Sequence, residues 1–220
     1  MSKINLILLG CGSSTLEVID IIRDINLKSN KKINIMGILD DNKKLSKKKI
    51  SSIPILGKIN EISKFKDEHF FLTIFSYQNR FLRDLIIKKT KKYHKQFINV
   101  IHPNAIISKN SNIGLGCMVS NNTNIHFGAQ IGNFTTISPC ASVAPYAKIN
   151  KNCFIGHSVV VSSKSKIGKN SYLGFGSSIL ENIKIGEGSR ILPNTIVNKD
   201  ITRKRGVIFG SPSRIIAFDI

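Results

Sequence analysis

The sequence predicts two domains, a small α/β domain followed by a solenoid of short β-strands. Three observations support this prediction. Buried-strand patterns alternate with helical patterns over the first half of the chain. From Ile101 to Val197 every sixth residue is aliphatic, at seventeen consecutive positions. The chain has 220 residues, of which 41% are hydrophobic, and this is enough to bury a core in each domain.

The period of six identifies the second half as a repeat. A helix would repeat its apolar residues about every 3.6 positions, and a half-buried strand would alternate them. The residue after the aliphatic is often a glycine, which permits the backbone conformation of a tight corner. Each unit is therefore a short strand plus a corner, and stacked units bury one another's faces. The glycines at this position are Gly114, Gly132, Gly156, Gly168, Gly174 and Gly186.

This repeat resembles the hexapeptide repeat of left-handed parallel β-helix acyltransferases, and the resemblance covers the whole second half. It implies that three hexads form one triangular coil, so that residues eighteen positions apart stack about 4.8 Å from each other. It also implies a homotrimer with active sites between neighbouring subunits. We assign the α/β domain to residues 1–98 and the β-helix domain to residues 99–220.

The first half is predicted to form a Rossmann-like α/β domain. Strands that alternate with helices are typical of a parallel sheet, because a crossover helix joins each strand to the next. The expected strands are Ile4–Gly10, Ile33–Asp41 and Phe70–Phe75, and the expected helices are Thr15–Ile25 and Arg80–Lys89.

The first strand is followed by the loop Gly10-Cys11-Gly12-Ser13-Ser14. This loop is half of a G-x-G-x-x-G fingerprint and is by itself a weak signal for a dinucleotide. Free N–H groups at a helix start favour phosphate, and such sheets bind ligands at the carboxyl ends of their strands. Asp40 and Asp41 end the second strand and offer acceptors to sugar hydroxyls or base amines. A tight turn with a helix cap is the alternative interpretation of the loop.

Three motifs narrow the resemblance: GILDDN at residues 37–42, IHPNA at 101–105 and GSPSRII at 210–216. With the α/β domain, they resemble the NeuD/PglD-type sugar O- and N-acyltransferases. The resemblance implies a cytoplasmic acetyltransferase of surface glycan biosynthesis. Its acceptor would be a sialic-acid-type sugar or an amino group on a nucleotide-linked sugar. Two departures point to an altered substrate pocket: Ser13-Ser14 replaces a common Gly-His, and IFSYQNR at 74–80 lacks the usual glycine.

The same resemblance assigns ligand-binding positions. A sugar nucleotide would contact Gly12, Ser13, Ser14, Asp40 and Asp41. Acetyl-CoA, as the co-substrate, would contact Phe154, Gly174, Phe175 and Pro193. Gly174 would let the co-substrate approach the backbone closely. No metal is implied.

The general base of the family is a histidine in a hexad of the pattern aliphatic-x-His-Asp/Glu. Counting seven hexads from Ile101 puts this pattern at Val143, where Pro145 and Tyr146 replace the histidine and the acid. A proline carries no transferable proton. The chain is therefore either an acetyltransferase with a different base or a catalytically impaired relative that binds a sugar nucleotide or a partner protein.

Two histidines are candidate replacements for the missing base. His126 lies one coil before Val143 on the same side of the triangle, and His157 sits in a hexad that imitates the family pattern locally. A surface or packing role is the alternative for each. We interpret His102, at the start of the solenoid, as structural.

The chain is strongly basic, with a net charge of +20 spread over both halves. Such a charge attracts polyanions, but no nucleic-acid recognition motif is present, and we expect neither nucleic acid nor a membrane as a partner. Lys148, Lys166 and Lys184 are eighteen residues apart and should stack as a ladder. Stacked like charges repel, so the ladder is either solvated or bound to a phosphate-bearing ligand.

The four cysteines show no paired or metal-ligand spacing, which predicts free thiols in a reducing cytosol. The longest apolar runs are too short for a signal peptide or a membrane span.

Overall fold

The computed structural model describes residues 3–75 and 80–218. Its first half is an α/β domain whose five-stranded sheet has the order β3-β4-β2-β1-β5. The strands are β1 Lys3–Leu9, β2 Lys32–Leu39, β3 Lys49–Ile50, β4 Ile53–Gly57 and β5 His69–Leu72. The helices are α1 Ser13–Lys28 and α2 Arg80–Lys89, with short 3-10 helices at Lys43–Leu45, Ile59–Phe65 and Lys91–Gln96.

The central strand β1 pairs in parallel with both β2 and β5, which confirms the predicted alternation. Its side chains alternate between two cores. Leu6 and Leu8 pack with residues of α1, and Ile7 and Leu9 pack with residues of α2. The β3–β4 hairpin was not predicted. Its turn residues, Ser51 and Ser52, both have positive φ, and they lack the Asn-Gly signal that usually marks such a turn.

The second half is a parallel β-helix with three faces, and all seventeen predicted aliphatics end a two-residue strand. Face A contains β6 Val100–Ile101, β9 Met118–Val119, β12 Thr136–Ile137, β15 Phe154–Ile155, β18 Tyr172–Leu173, β21 Arg190–Ile191, β23 Gly206–Phe209 and β24 Arg214–Phe218. Face B contains β7 Ile106–Ile107, β10 Asn124–Ile125, β13 Ser142–Val143, β16 Val160–Val161, β19 Ser178–Ile179 and β22 Ile196–Val197. Face C contains β8 Asn112–Ile113, β11 Gln130–Ile131, β14 Lys148–Ile149, β17 Lys166–Ile167 and β20 Lys184–Ile185.

The coils stack in the register that the sequence predicted. Ile137 pairs with Ile155, and Ile155 pairs with Leu173, each eighteen residues further on. The inward aliphatics form one continuous buried core. We name the corners by the faces they join, in chain order: corner AB, corner BC and corner CA.

The α/β domain covers the first coils of face A. Val100 and Met118 of that face are buried in the core that contains α1, and Phe134 is buried in the core that contains α2. The rings of Phe97 and Phe134 meet edge to face, with centroids 5.1 Å apart. The two domains therefore share cores, which holds the sheet of the first domain against one face of the second.

Helix α1 packs along corner AB through two polar contacts. The Ser120 hydroxyl lies 3.0 Å from a Glu17 carboxylate oxygen, and His102 Nε2 lies 2.9 Å from an Asp24 carboxylate oxygen. Asp24, near the C-terminal end of α1, contacts the coil that contains His102, and Glu17, near the N-terminal end, contacts the next coil. The N-terminus of α1 therefore points towards later coils. His102 is buried in this contact, in agreement with a structural role.

Helix α2 is fixed to corner CA by Arg83, which is almost fully buried. Its guanidinium donates hydrogen bonds to the Phe134 carbonyl and to Asn152 Oδ1, and it lies 5.0 Å from the centroid of the Phe75 ring. Burial lowers the pKa of Arg83 to about 10. No carboxylate among residues 3–75 and 80–218 forms an ion pair with it. This buried cation ties the helix to the solenoid through polar neutral groups.

The interface between Asp24 and His102 predicts a pH-dependent stability. A hydrogen bond from Lys28, followed by one with His102, lowers the pKa of the Asp24 carboxyl below its ordinary 3.8. Stabilisation by a carboxyl with a lowered pKa is complete above the ordinary value and is lost as the pH falls through the lowered value. We therefore expect Asp24→Asn to reduce the free energy of unfolding at about pH 6, with the difference from the wild type shrinking below about pH 4.

Urea denaturation between about pH 6 and pH 3 measures this effect. Asp20→Asn is the matched control, because Asp20 forms an ion pair with the exposed Arg23 on the same helix and, among the described residues, with no group of the solenoid. A difference between Asp24→Asn and the wild type that stays constant across this range would contradict the assignment.

Candidate active site

The glycine loop joins β1 to α1 at the carboxyl edge of the sheet. Gly10 is buried with a φ of 95°, a conformation that favours glycine, and a Cβ there would strike the side chain of Ile74. Gly12 is exposed, with open space around the position of a Cβ. Ser14 is half-buried in the first turn of α1. The side chain of Ser13 and residues Ser76–Asn79 lie outside the described residues.

The two aspartates at the end of β2 hold the surrounding loops. Asp40 accepts hydrogen bonds from the N–H groups of Cys11 and Asn42, one on each carboxylate oxygen, at 2.6 and 2.7 Å. Asp41 accepts one from the Ile59 N–H at 2.9 Å through Oδ1. Both carboxylates thus fix the loops around them, and no described residue donates a hydrogen bond to the second oxygen of Asp41, which can accept one from a ligand.

A cavity of about 440 Å³ opens beside these aspartates. Asp40 and Asp41 line its rim, and α2 with the 3-10 helix Ile59–Phe65 supplies its apolar walls. Lys89 and Lys92 add positive charge that suits an anionic ligand. Sequence reasoning missed the walls, which are formed by Ile59, Asn60, Ile62, Ser63, Ile74, Leu82, Leu85, Ile86, Thr90 and Tyr93. The one sequence signal for these walls is the alternation of apolar and basic residues along α2.

Corner AB carries three of the predicted site residues in successive coils. His157, Phe175 and Pro193 are eighteen residues apart and all are exposed. The rings of His157 and Phe175 meet edge to face with centroids 5.2 Å apart, in agreement with the predicted stacking. The N-terminus of α1, and with it the glycine loop, points along this corner.

Gly174 and Phe154 are the other two predicted co-substrate contacts. Gly174 is buried, and a Cβ there would lie only 2.6 Å from the backbone nitrogen of Pro193 in the next coil. Coil stacking by itself therefore requires glycine at this position. Phe154 is the outward-facing residue of β15 on face A, where its ring stacks on that of Tyr172 with centroids 5.1 Å apart.

Corner BC holds the position that the resemblance assigns to the base. Pro145 is half-buried and Tyr146 is 52% exposed, and the Tyr146 ring meets Phe127 edge to face at 5.7 Å. His126 is exposed one coil earlier, and its Nε2 lies 3.5 Å from the Ser142 hydroxyl. Within its hexad it follows the aliphatic directly, so Phe127 takes the turn position that the family pattern gives to histidine.

The two candidate bases therefore lie on different corners of the triangle. His157 shares corner AB with α1, whereas His126 and Pro145 lie on corner BC, across face B. Within one chain the glycine loop and the family's base position do not meet. A second copy of the chain, with its corner BC against corner AB of the first, would bring them together.

No group of three or more His, Cys, Asp or Glu side chains converges within residues 3–75 and 80–218. Over the same residues, no helix combines the length and apolar character needed to cross a membrane.

Family comparisons agree with the two domains. The PglD N-terminal domain family matches residues 5–82, and the bacterial transferase hexapeptide family (six repeats) matches residues 164–199. These matches confirm the resemblance to the NeuD/PglD-type acyltransferases that the sequence motifs indicated. Comparison with curated proteins gives no sequence match.

Solved structures agree in fold over nearly the whole chain. Perosamine N-acetyltransferase from Caulobacter crescentus, as a point mutant with CoA and GDP-perosamine, superposes with a TM-score of 0.85 at 19% identity, covering 97% of each chain. The acetyltransferase domain of PglB from Neisseria gonorrhoeae, with acetyl coenzyme A, gives 0.84 at 17% identity and covers 98% and 100%. WeeI from Acinetobacter baumannii gives 0.81 at 20% identity and also covers 98% and 100%.

The surroundings of the cysteines predict an order of thiol reactivity. Burial raises the pKa of Cys117 to about 11 and that of Cys153 to about 12, whereas Cys140 is exposed on corner AB. Since the thiolate is the reactive form, we expect an alkylating reagent at neutral pH to modify Cys140 first. Peptide mass mapping over time measures the order. Cys140→Ser should remove the fast phase, and equal labelling of Cys153 in native protein would contradict the burial.

Proposed function

We propose that the chain is an acetyl-CoA-dependent acetyltransferase that acts on the amino group of a nucleotide-linked sugar. The observation that carries this proposal is the arrangement of the two domains. A cavity with acidic acceptors and basic side chains opens in a PglD-type domain, and the same domain directs its glycine loop along a β-helix corner. Two solved proteins with this whole-chain fold are acetyltransferases, and one of them holds CoA together with GDP-perosamine.

The ligand-binding residues follow from this arrangement. The nucleotide would occupy the cavity, with Asp41 accepting hydrogen bonds and Lys89 and Lys92 near its phosphates. Gly12, with its open surroundings, would let a diphosphate approach the start of α1. Acetyl-CoA supplies the acetyl group as a thioester. Exposed Phe175 and Pro193 on corner AB fit its apolar arm.

We infer that a trimer assembles the active site. Corners AB and BC both expose large apolar side chains, among them Phe175 at 48%, Phe127 at 49% and Tyr146 at 52%. Face B between them adds Ile106, Val160 and Ile196, whereas face C exposes lysines. Face B turned towards a three-fold axis would put corner BC of each copy against corner AB of the next.

Such an assembly would put both candidate histidines on one cleft. His157 would come from corner AB of one copy and His126 from corner BC of the next. We assign His126 the role of base, because it shares the corner of the family's base position and its Nε2 lies near a hydroxyl. An amine loses its proton more readily than a hydroxyl does, so an amino sugar suits an imperfectly placed base better than a hydroxyl acceptor.

A second candidate function is binding without catalysis. Pro145 and Tyr146 at the position implied for the family's histidine and acid favour it, and no carboxylate among the described residues orients His126. Loss of a general base costs roughly 10²–10⁴ in rate rather than all activity, so turnover has to be measured. The relevant assay is CoA thiol release with a panel of nucleotide-linked amino sugars. Sugar-nucleotide affinity without turnover would favour this second function.

The assignment of the base makes a kinetic prediction. We expect His126→Ala to lower kcat by roughly 10²–10⁴, because the amine must shed its proton as it attacks. His157→Ala should change kcat by no more than a few-fold and should mainly raise the KM for acetyl-CoA. Added imidazole should partly restore the His126→Ala enzyme. The reverse pattern would assign the base to His157, and full activity of both variants would exclude a histidine base.

The proposed interface makes a prediction about assembly. Tyr146→Asp puts a charge into an apolar contact, so it should shift the trimer towards monomer in light scattering coupled to size exclusion. Lys166→Asp on face C is the matched control and should leave the assembly unchanged. A wild-type chain that is monomeric at micromolar concentration would refute the interface.

A further inference from the structure

Face C carries the predicted lysine ladder in register. Lys148 pairs with Lys166 and Lys166 with Lys184 across successive strands, and all three side chains point outward into solvent. Neighbouring strands lie about 4.8 Å apart, so these like charges stand directly opposite one another. Such pairs destabilise a sheet.

The ladder lacks the carboxylates that relieve charge elsewhere on the solenoid. Lys169 on corner CA pairs with Glu187 at 3.1 Å, and Lys164 on corner BC approaches Glu181 at 3.9 Å. Within the described part of the chain, no acid pairs with Lys148, Lys166 or Lys184. The repulsion between Lys148 and Lys166 is therefore left without an internal partner, while lysines on both flanking corners have one. At the end of the row, the Asp200 carboxylate accepts a hydrogen bond from the backbone N–H of Lys184 at 2.8 Å.

The ladder also borders a depression rich in hydrogen-bond donors. A cavity of about 510 Å³ lies on face C and contains Lys148 and Lys166 in its lining. Asn133 and Asn150 line it too, and their amide oxygens accept backbone N–H groups at 3.0 and 2.8 Å. Their amide NH₂ groups therefore remain as donors. The lining contains no carboxylate; its other members are Asn112, Gly114, Gln130, Ile131, Gly132, Ile149 and Ile167.

We propose that this depression binds a ligand with two or more neighbouring phosphate groups, lying along the lysine ladder. Two ammonium groups and two amide NH₂ groups supply only donors, which is the chemistry that phosphate oxygens require. Linked phosphates carry more negative charge and extend further along the row than a single phosphate, so they offset the mutual repulsion of the lysines more fully. Lys184 extends the same row and would meet a longer ligand.

This site is separate from the candidate active site. The histidines lie on corners AB and BC, the nucleotide cavity lies in the α/β domain, and that domain covers face A. Face C lies outside all of these regions. The proposal therefore does not depend on acetyltransferase activity and is tested by binding alone.

Calorimetry with tripolyphosphate tests the site at constant ionic strength. We expect Lys148→Gln/Lys166→Gln to weaken binding at least about tenfold, because both charge-assisted contacts are lost. Lys169→Gln is the matched control: it removes one lysine that already has a partner and should keep the affinity within about twofold. Inorganic phosphate should bind more weakly than tripolyphosphate.

Two further ligands distinguish a soluble phosphate-bearing ligand from the phosphates of a lipid surface. CoA presents a diphosphate and a separate phosphate in solution, whereas phosphatidylglycerol vesicles present single phosphates on a surface. Loss of CoA affinity in the double variant assigns the site to a soluble ligand, and loss of vesicle co-sedimentation assigns it to a lipid surface. The proposal is refuted if wild-type protein binds tripolyphosphate no better than the double variant, or if Lys169→Gln loses as much.

Discussion

The parallel pairing of residues eighteen positions apart is the constraint on which the rest of the molecule depends. Every coil places the aliphatic residues of its strands inward and in register with those of the next coil, so each residue is assigned to a face or a corner by its number alone. This regularity requires one residue with positive φ at many of the corners. Asparagines such as Asn122, Asn152 and Asn170 occupy many of these positions, since asparagine tolerates positive φ better than most residues.

The docking of the α/β domain gives the three faces different roles. Shared apolar cores, the Asp24–His102 contact and the buried Arg83 hold the domain across face A. Faces B and C stay open, and their outward residues differ in character: apolar and small on face B, basic on face C. A regular scaffold with one side covered thus offers one side suited to self-association and one suited to an anion.

The positions of the candidate site residues on the solenoid followed from the period of the repeat, but the contacts around these residues did not. The stacking of His157 under Phe175 and the position of His126 one coil before Pro145 came directly from the repeat. The steric requirement for glycine at position 174 did not follow from the repeat, because it is the backbone of the next coil that excludes a Cβ there. The cavity walls were also missed, since they come from segments that are distant in sequence and have no common motif.

The sequence alone determined the β-helix, its register and the parallel α/β sheet, because these depend on periodic burial and on local alternation of strands and helices. Tertiary structure decided which face the α/β domain covers and which corners its helices meet, and therefore which candidate histidine shares a corner with α1. Those features depend on contacts between distant residues, such as Arg83 with Phe134 and Asp24 with His102. No local pattern encodes them, because each needs the shapes of both domains to be complete.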